Sequence, residues 1–127
     1  MALILDTNAL SALADGDERL LRVLQDEPEL ALPVVALAEY LYGIRQSRHR
    51  ATYEEWLDSN RTAFTVLPIE RQTAQRYAEI RHELKTAGTP IPTNDLWIAA
   101  LAREHRLQIV SRDAHFQAVH GLQRMTW

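Results

Sequence analysis

Four apolar residues, Ala2-Leu3-Ile4-Leu5, run directly into Asp6-Thr7-Asn8. A short unbroken apolar run suits a strand covered on both faces, as in the middle of a parallel sheet. In an open α/β sheet, ligands collect beyond the carboxyl ends of the strands, so Asp6 falls where a site would form. The same residue types are also preferred helix N-caps, and Ala9-Leu10-Ser11-Ala12-Leu13 has helical character. Taken alone, Asp6 suits either purpose.

The rest of the chain repeats this alternation. Residues 8–14 read as a short helix halted near Gly16. Asp17 and Glu18 open a second helix to about Gln25, with Leu20, Leu21, Val23 and Leu24 as its apolar face and Pro28 as its stop. Acids in its first turn suit the helix dipole. Leu30-Ala31-Leu32 is a second buried strand, limited by Pro33. Helices are expected over 34–46 and 49–62, the latter with Tyr53, Trp56 and Leu57 on one side, then an extended segment 64–67 before Pro68. Residues 69–85 form a long amphipathic helix, with Ala74, Tyr77, Ile80 and Leu84 at helical spacing and Gly88 as its C-cap. Pro90 and Pro92 stiffen the next loop. Thr93-Asn94-Asp95 carries a capping signal for an apolar helix through Ala102, followed by a strand over 107–110. Residues 122–127 are a candidate last strand. This order predicts one α/β domain over 1–127, with a mostly parallel sheet of four to five strands and helices on both faces.

Three further acids draw notice. Glu39 is the only charged side chain between Leu30 and Ile44. Its neighbours Leu37, Ala38, Tyr40 and Leu41 leave no evident wet face, and a buried unpaired carboxylate costs several kcal/mol, on the order of a broken ion pair. Glu39 therefore needs an arginine, a metal or a cleft open to water. Gly43 in the same helix suggests a close backbone approach. Asp95 stands in the first turn of its helix, where the dipole alone favours an acid. Asp113 follows the 107–110 strand as Asp6 follows the first, and it also suits a cap for 114–118. On elements that converge at one sheet edge, the four acids have a shared explanation. Carboxylates crowded together repel, and a hard divalent cation removes the conflict. Mg²⁺ or Mn²⁺ in such a pocket would act on a phosphodiester. Thr7, Asn8, Thr93 and Ser111 are small polar neighbours suited to supporting the ligands or meeting phosphate oxygens.

The bulk properties bound the rest. The net charge of −3 provides no global field to attract nucleic acid, so any such partner must be held by local patches. Of the 14 basic residues only Lys85 is lysine, and arginine favours bidentate phosphate contacts. Arg112, beside Asp113, is the leading candidate. Cysteine is absent, which excludes disulfides and thiolate zinc sites and fits a reducing cytosol. The apolar start ends at Asp6, too short for a signal peptide or a membrane span, so a cytoplasmic location is expected. The five histidines show no close metal-binding pair and read as surface residues, with His115 near Asp113 the one of interest.

Leu5-Asp6-Thr7-Asn8-Ala9-Leu10 resembles the opening motif of PIN-domain ribonucleases. Ala38-Glu39-Tyr40-Leu41-Tyr42-Gly43 resembles their second acidic motif, Asp95-Leu96-Trp97-Ile98-Ala99-Ala100 the third, and Ser111-Arg112-Asp113-Ala114-His115-Phe116 the fourth. The match spans the chain in order and is nearest to the VapC-like toxins of toxin–antitoxin pairs; Ser111 stands where threonine is commoner. The resemblance implies a PIN-like three-layer α/β/α fold. It also implies an endoribonuclease dependent on Mg²⁺ or Mn²⁺ that acts through Asp6, Glu39, Asp95 and Asp113. Such proteins are usually homodimeric and are restrained by a cognate antitoxin. Tyr40, Tyr42 and Trp56 are candidate dimer contacts, and all three are equally compatible with a place in the core. Two alternatives remain at this level: a non-catalytic PIN-like binding module, and a Mg²⁺-binding receiver-type signalling domain. The receiver lacks support in two places, since Asp6 has no acidic neighbour and Lys85 lies within a helix. An aspartyl phosphohydrolase would need an acid where Asn8 stands.

Overall fold

Leu3 and Leu5 pack on one face of a central strand and Ile4 on the other, so three residues anchor two separate cores. In the computed structural model, which describes residues 2–27 and 29–127, this strand is β1 (Leu3–Leu5). It is followed by α1 (Thr7–Ala14), α2 (Glu18–Leu24), β2 (Leu30–Pro33), α3 (Val34–Arg45) and α4 (Arg50–Asn60). Then come β3 (Phe64–Leu67), α5 (Arg71–Ala87), α6 (Thr93–His105), β4 (Gln108–Val110) and β5 (Arg124–Met125). Short 3-10 turns occupy 61–63 and 114–118.

The five strands form one sheet in the order β3-β2-β1-β4-β5, and every pairing is parallel. Ile4 faces Ala31 on one side and Ile109 on the other. The chain builds outward from β1 through β2 to β3, then crosses back to place β4 on the opposite flank. The gap between the loops after β1 and β4 is thus the switch point at which such sheets bind ligands. One face is covered by α3, α5 and α6, through Tyr40, Ile44, Ile80, Leu84, Leu96 and Ile98. The other is covered by α1 and α2, through Ala9, Leu20 and Leu24. This is the expected three-layer arrangement.

Several expectations need correction. The buried stripe of α5 runs through Thr73, Ile80 and Leu84 with Tyr77 half-buried, and Ala74 is exposed. A polar residue is the inner one because its hydroxyl donates to Glu104 and accepts from the Glu70 backbone, within a capping box that starts the helix at Arg71. Helix α6 has no side-chain cap; Pro92 precedes it. Helix α3 does have an outer face, formed by Val34, Ala38, Leu41 and Tyr42. Gly43 faces open space rather than a close neighbour. Tyr40 is 4% exposed and Tyr42 is 68% exposed, so of the three proposed dimer contacts only Tyr42 is free. Tyr40 packs edge-on against Tyr53, and half-buried Trp56 packs against Phe64. The assignment of Pro28 as the stop of α2 lies outside the described residues. Gly88 caps α5 with a φ of 73°, as expected.

Candidate active site

Asp6 leaves β1 and begins α1 in the same step. One carboxylate oxygen accepts the Ala9 backbone N–H at 2.8 Å, and the other accepts the Ser111 hydroxyl. The cap and the site are thus one residue. Ser111 is fully buried just beyond β4, and its oxygen also accepts the Asp113 backbone N–H at 2.8 Å. A single hydroxyl therefore ties the loop after β4 to the loop after β1. Asp113 caps its 3-10 turn by accepting the His115 backbone N–H at 2.9 Å. Glu39 comes in from the middle of α3 and accepts the Thr7 hydroxyl at 2.8 Å. Asp95 enters from the first turn of α6.

Asp6, Glu39, Asp95 and Asp113 line one cleft of about 450 Å³ at the carboxyl edge of the sheet. Thr7, Asn8, Thr93, Asn94, Pro92 and His115 complete it. Ser111 lies beneath Asp6 rather than in the wall. No arginine pairs with Glu39 among the described residues; the open cleft provides its hydration. Burial raises the Asp6 carboxyl above its ordinary range, and the Asp95 and Asp113 charges push the same way. Burial likewise raises Asp95, with Asp113 and Glu39 adding to it.

His115 is the residue whose part was underestimated from the sequence. Its Nδ1 lies 3.0 Å from an oxygen of Asp95 and 3.0 Å from one of Asp113. The Asp95 hydrogen bond foremost, with the Asp113 and Asp95 charges adding to it, raises the pKa of the ring. The legible signal was the Asp113-x-His115 spacing across a cap. Asn94 was also missed. Arg112 points elsewhere: its guanidinium lies 4.7 Å from the Trp127 ring, its Nε donates to the Trp127 carbonyl, and Asp17 is 3.9 Å away. Partners just beyond β5 and at the N-cap of α2 hold it outside the cleft.

The donor set fits a hard divalent cation. Carboxylate oxygens predominate, and ligand atoms of Asp95, Asp113 and His115 lie within 4.8 Å of one another. Among the described residues no helix is long and apolar enough to cross a membrane.

The PIN domain model matches residues 3–122. Ribonuclease VapC5 of Mycobacterium tuberculosis is 30% identical over 125 residues, covering 93% of this chain and 87% of its own length. A crystal structure of VapBC-5 from M. tuberculosis, a member of the VapBC family of toxin–antitoxin systems, is 30% identical, with a TM-score of 0.76 over 98% of this chain and 96% of that one. VapBC-1 from nontypeable Haemophilus influenzae is 27% identical, with a TM-score of 0.86 over 100% of this chain and 98% of its own. The receiver-type alternative is thereby removed. With its motifs, parallel sheet and acidic cleft in accord, the chain belongs to the PIN-domain family and is a VapC-like member of it.

Proposed function

We propose that the chain is an endoribonuclease dependent on Mg²⁺ or Mn²⁺ that hydrolyses RNA phosphodiester bonds, and that it is the toxin of a toxin–antitoxin pair acting in the cytoplasm. The observation that carries this reading is the gathering of four carboxylates, from β1, α3, α6 and the loop after β4, in one open cleft. Asp6, Asp95, Asp113 and Glu39 would hold the cation. When bound, the cation neutralises charge and polarises a phosphoryl oxygen. Ser111 sets the orientation of Asp6 and fixes the backbone of Asp113. Thr7 sets the orientation of Glu39. Thr93, Asn8 and Asn94 face the cleft with groups able to meet phosphate oxygens.

The VapBC assemblies among its relatives support a cognate antitoxin for this chain. An arginine or lysine presented by that partner would pair with the acidic cleft in place of the cation, as a segment that orders on binding. The exposed apolar residues Val34, Leu41 and Tyr42 on α3 support a homodimer.

The test is incubation of the purified chain with RNA and Mn²⁺. Cleavage that is lost on adding EDTA, and lost again in Asp95→Asn, is the expected result. A wild type that binds RNA and metal yet leaves the RNA intact would establish the non-catalytic module instead.

A further inference from the structure

A second cleft of about 280 Å³ adjoins the acidic one, and the two share Thr93 in their walls. Its floor is apolar, formed by Leu84, Leu96 and Ile91, and its rim carries Arg81 and Lys85. These two cations sit one turn apart on the exposed side of α5. The acids of that helix are engaged elsewhere: Glu79 pairs with Arg76 at 3.1 Å and Glu83 with Arg103 at 2.7 Å. Among the described residues, Arg81 and Lys85 have no carboxylate partner. Arg81 is nonetheless held in place. Its guanidinium donates to the Tyr77 hydroxyl at 3.1 Å and lies 6.0 Å from that ring, which stacks on Trp97 at 4.0 Å. An arginine fixed in this way loses less side-chain freedom when it meets an anion.

We infer that Arg81 and Lys85 form a phosphate track that leads single-stranded RNA past Thr93 into the acidic cleft. The inference rests on the ribonuclease reading for its substrate class. The cleft itself repels a polyanion, so the attraction must come from beside it, and Arg112 is turned away. This groove joins the acidic cleft at Thr93 and carries Arg81 and Lys85, which have no carboxylate partner among the described residues, on its rim. Its apolar floor suits the faces of unstacked bases.

The experiment uses a double variant, Arg81→Ala with Lys85→Ala, both at exposed positions, with a thermal melt to establish that it folds as wild type does. Binding of a labelled single-stranded RNA is measured by fluorescence anisotropy in Ca²⁺ buffer across a salt series. Each single-strand phosphate contact is worth about 5-fold in affinity at 0.1 M salt, so the pair predicts a loss of about 25-fold and a log–log salt slope shallower by about 1.4. Cleavage with Mn²⁺ should show KM raised by a similar factor and kcat within about twofold, a split that general structural damage would not give. Lys85→Arg in the wild-type background should keep nearly full affinity. Unchanged affinity and salt slope in the double variant would overturn the track, whether or not the wild type cleaves RNA. So would a wild type that does not bind RNA. A wild type whose binding depends on both residues but which never cleaves would retain the track and overturn the ribonuclease reading alone.

Discussion

Replacing Asp6 by asparagine separates its two tasks. The side chain is 4% exposed, so its hydrogen bonds form largely away from water. Asparagine keeps an oxygen for the Ala9 N–H and turns its amide toward Ser111, whose oxygen has a lone pair to spare. Exchanging charge-assisted bonds for neutral ones forfeits about 1–2 kcal/mol. Against this, asparagine removes a charge whose burial foremost, with the Asp95 and Asp113 charges adding to it, raises the Asp6 pKa. The two contributions are of similar size, and the metal-free variant should lie within about 1 kcal/mol of wild type. Metal tells the two proteins apart. At a hundredfold excess over Kd, a cation stabilises the folded wild type by about 2.7 kcal/mol. In a domain of this size that raises Tm by roughly 10 °C. The variant, with one ligand made neutral, should show only a fraction of the shift and no RNA cleavage. The assay pairs thermal melts over an Mn²⁺ series with gel-based RNA cleavage. Cleavage at the wild-type rate would refute the role given to Asp6. A full metal shift with lost cleavage would make Asp6 a reacting or orienting group rather than a ligand.

Three other outcomes follow from named contacts. Ser111→Ala leaves the part-buried Asp113 N–H without its acceptor and the buried Asp6 without a donor; it should cost about 1–3 kcal/mol in urea melts and weaken metal affinity about 10-fold. The Tyr40 hydroxyl is buried without a partner among the described residues, and burial pushes its pKa up to about 12. Tyr40→Phe should therefore be neutral or stabilising by up to about 1 kcal/mol, and Tyr40→Ala should cost about 3–5 kcal/mol from the cavity between α3 and α4, both read by chemical denaturation. Asp17 accepts the Leu20 and Arg19 backbone N–H groups, which hold its pKa below the ordinary value, with Arg112 adding to the effect. Its contribution to stability is complete above the unfolded pKa and is lost as pH falls through the folded value. Carbon-detected NMR should find its midpoint below that of an ordinary aspartate, and a midpoint at or above it would contradict the cap.

Much of this architecture is local in origin. The apolar runs of β1, β2 and β4 are bounded by residues that stop strands, and the helices between them show their own periodicity. The order of elements, the parallel sheet and its two covered faces could therefore be read without coordinates. So could the positions of Asp6, Asp95 and Asp113, because each follows a strand or opens a helix, where backbone groups favour an acid. What lay beyond reach was everything set by chain segments distant in sequence. Ser111 meets Asp6 across 105 residues and Glu39 meets Thr7 across 32, and neither spacing leaves a local trace. Periodicity narrows the inward face of α3 but does not say that Tyr40 is covered by α4 while Tyr42 stays open. The adjacency of Arg112 to Asp113 suggested a shared site, yet Trp127 and Asp17, brought close by β5 and α2, hold the arginine outside it. The reason is the same in each case. A hydrogen-bonding pattern along the chain follows from a few neighbouring residues, whereas contact between elements depends on the strand order of the sheet, and only the folded structure decides that.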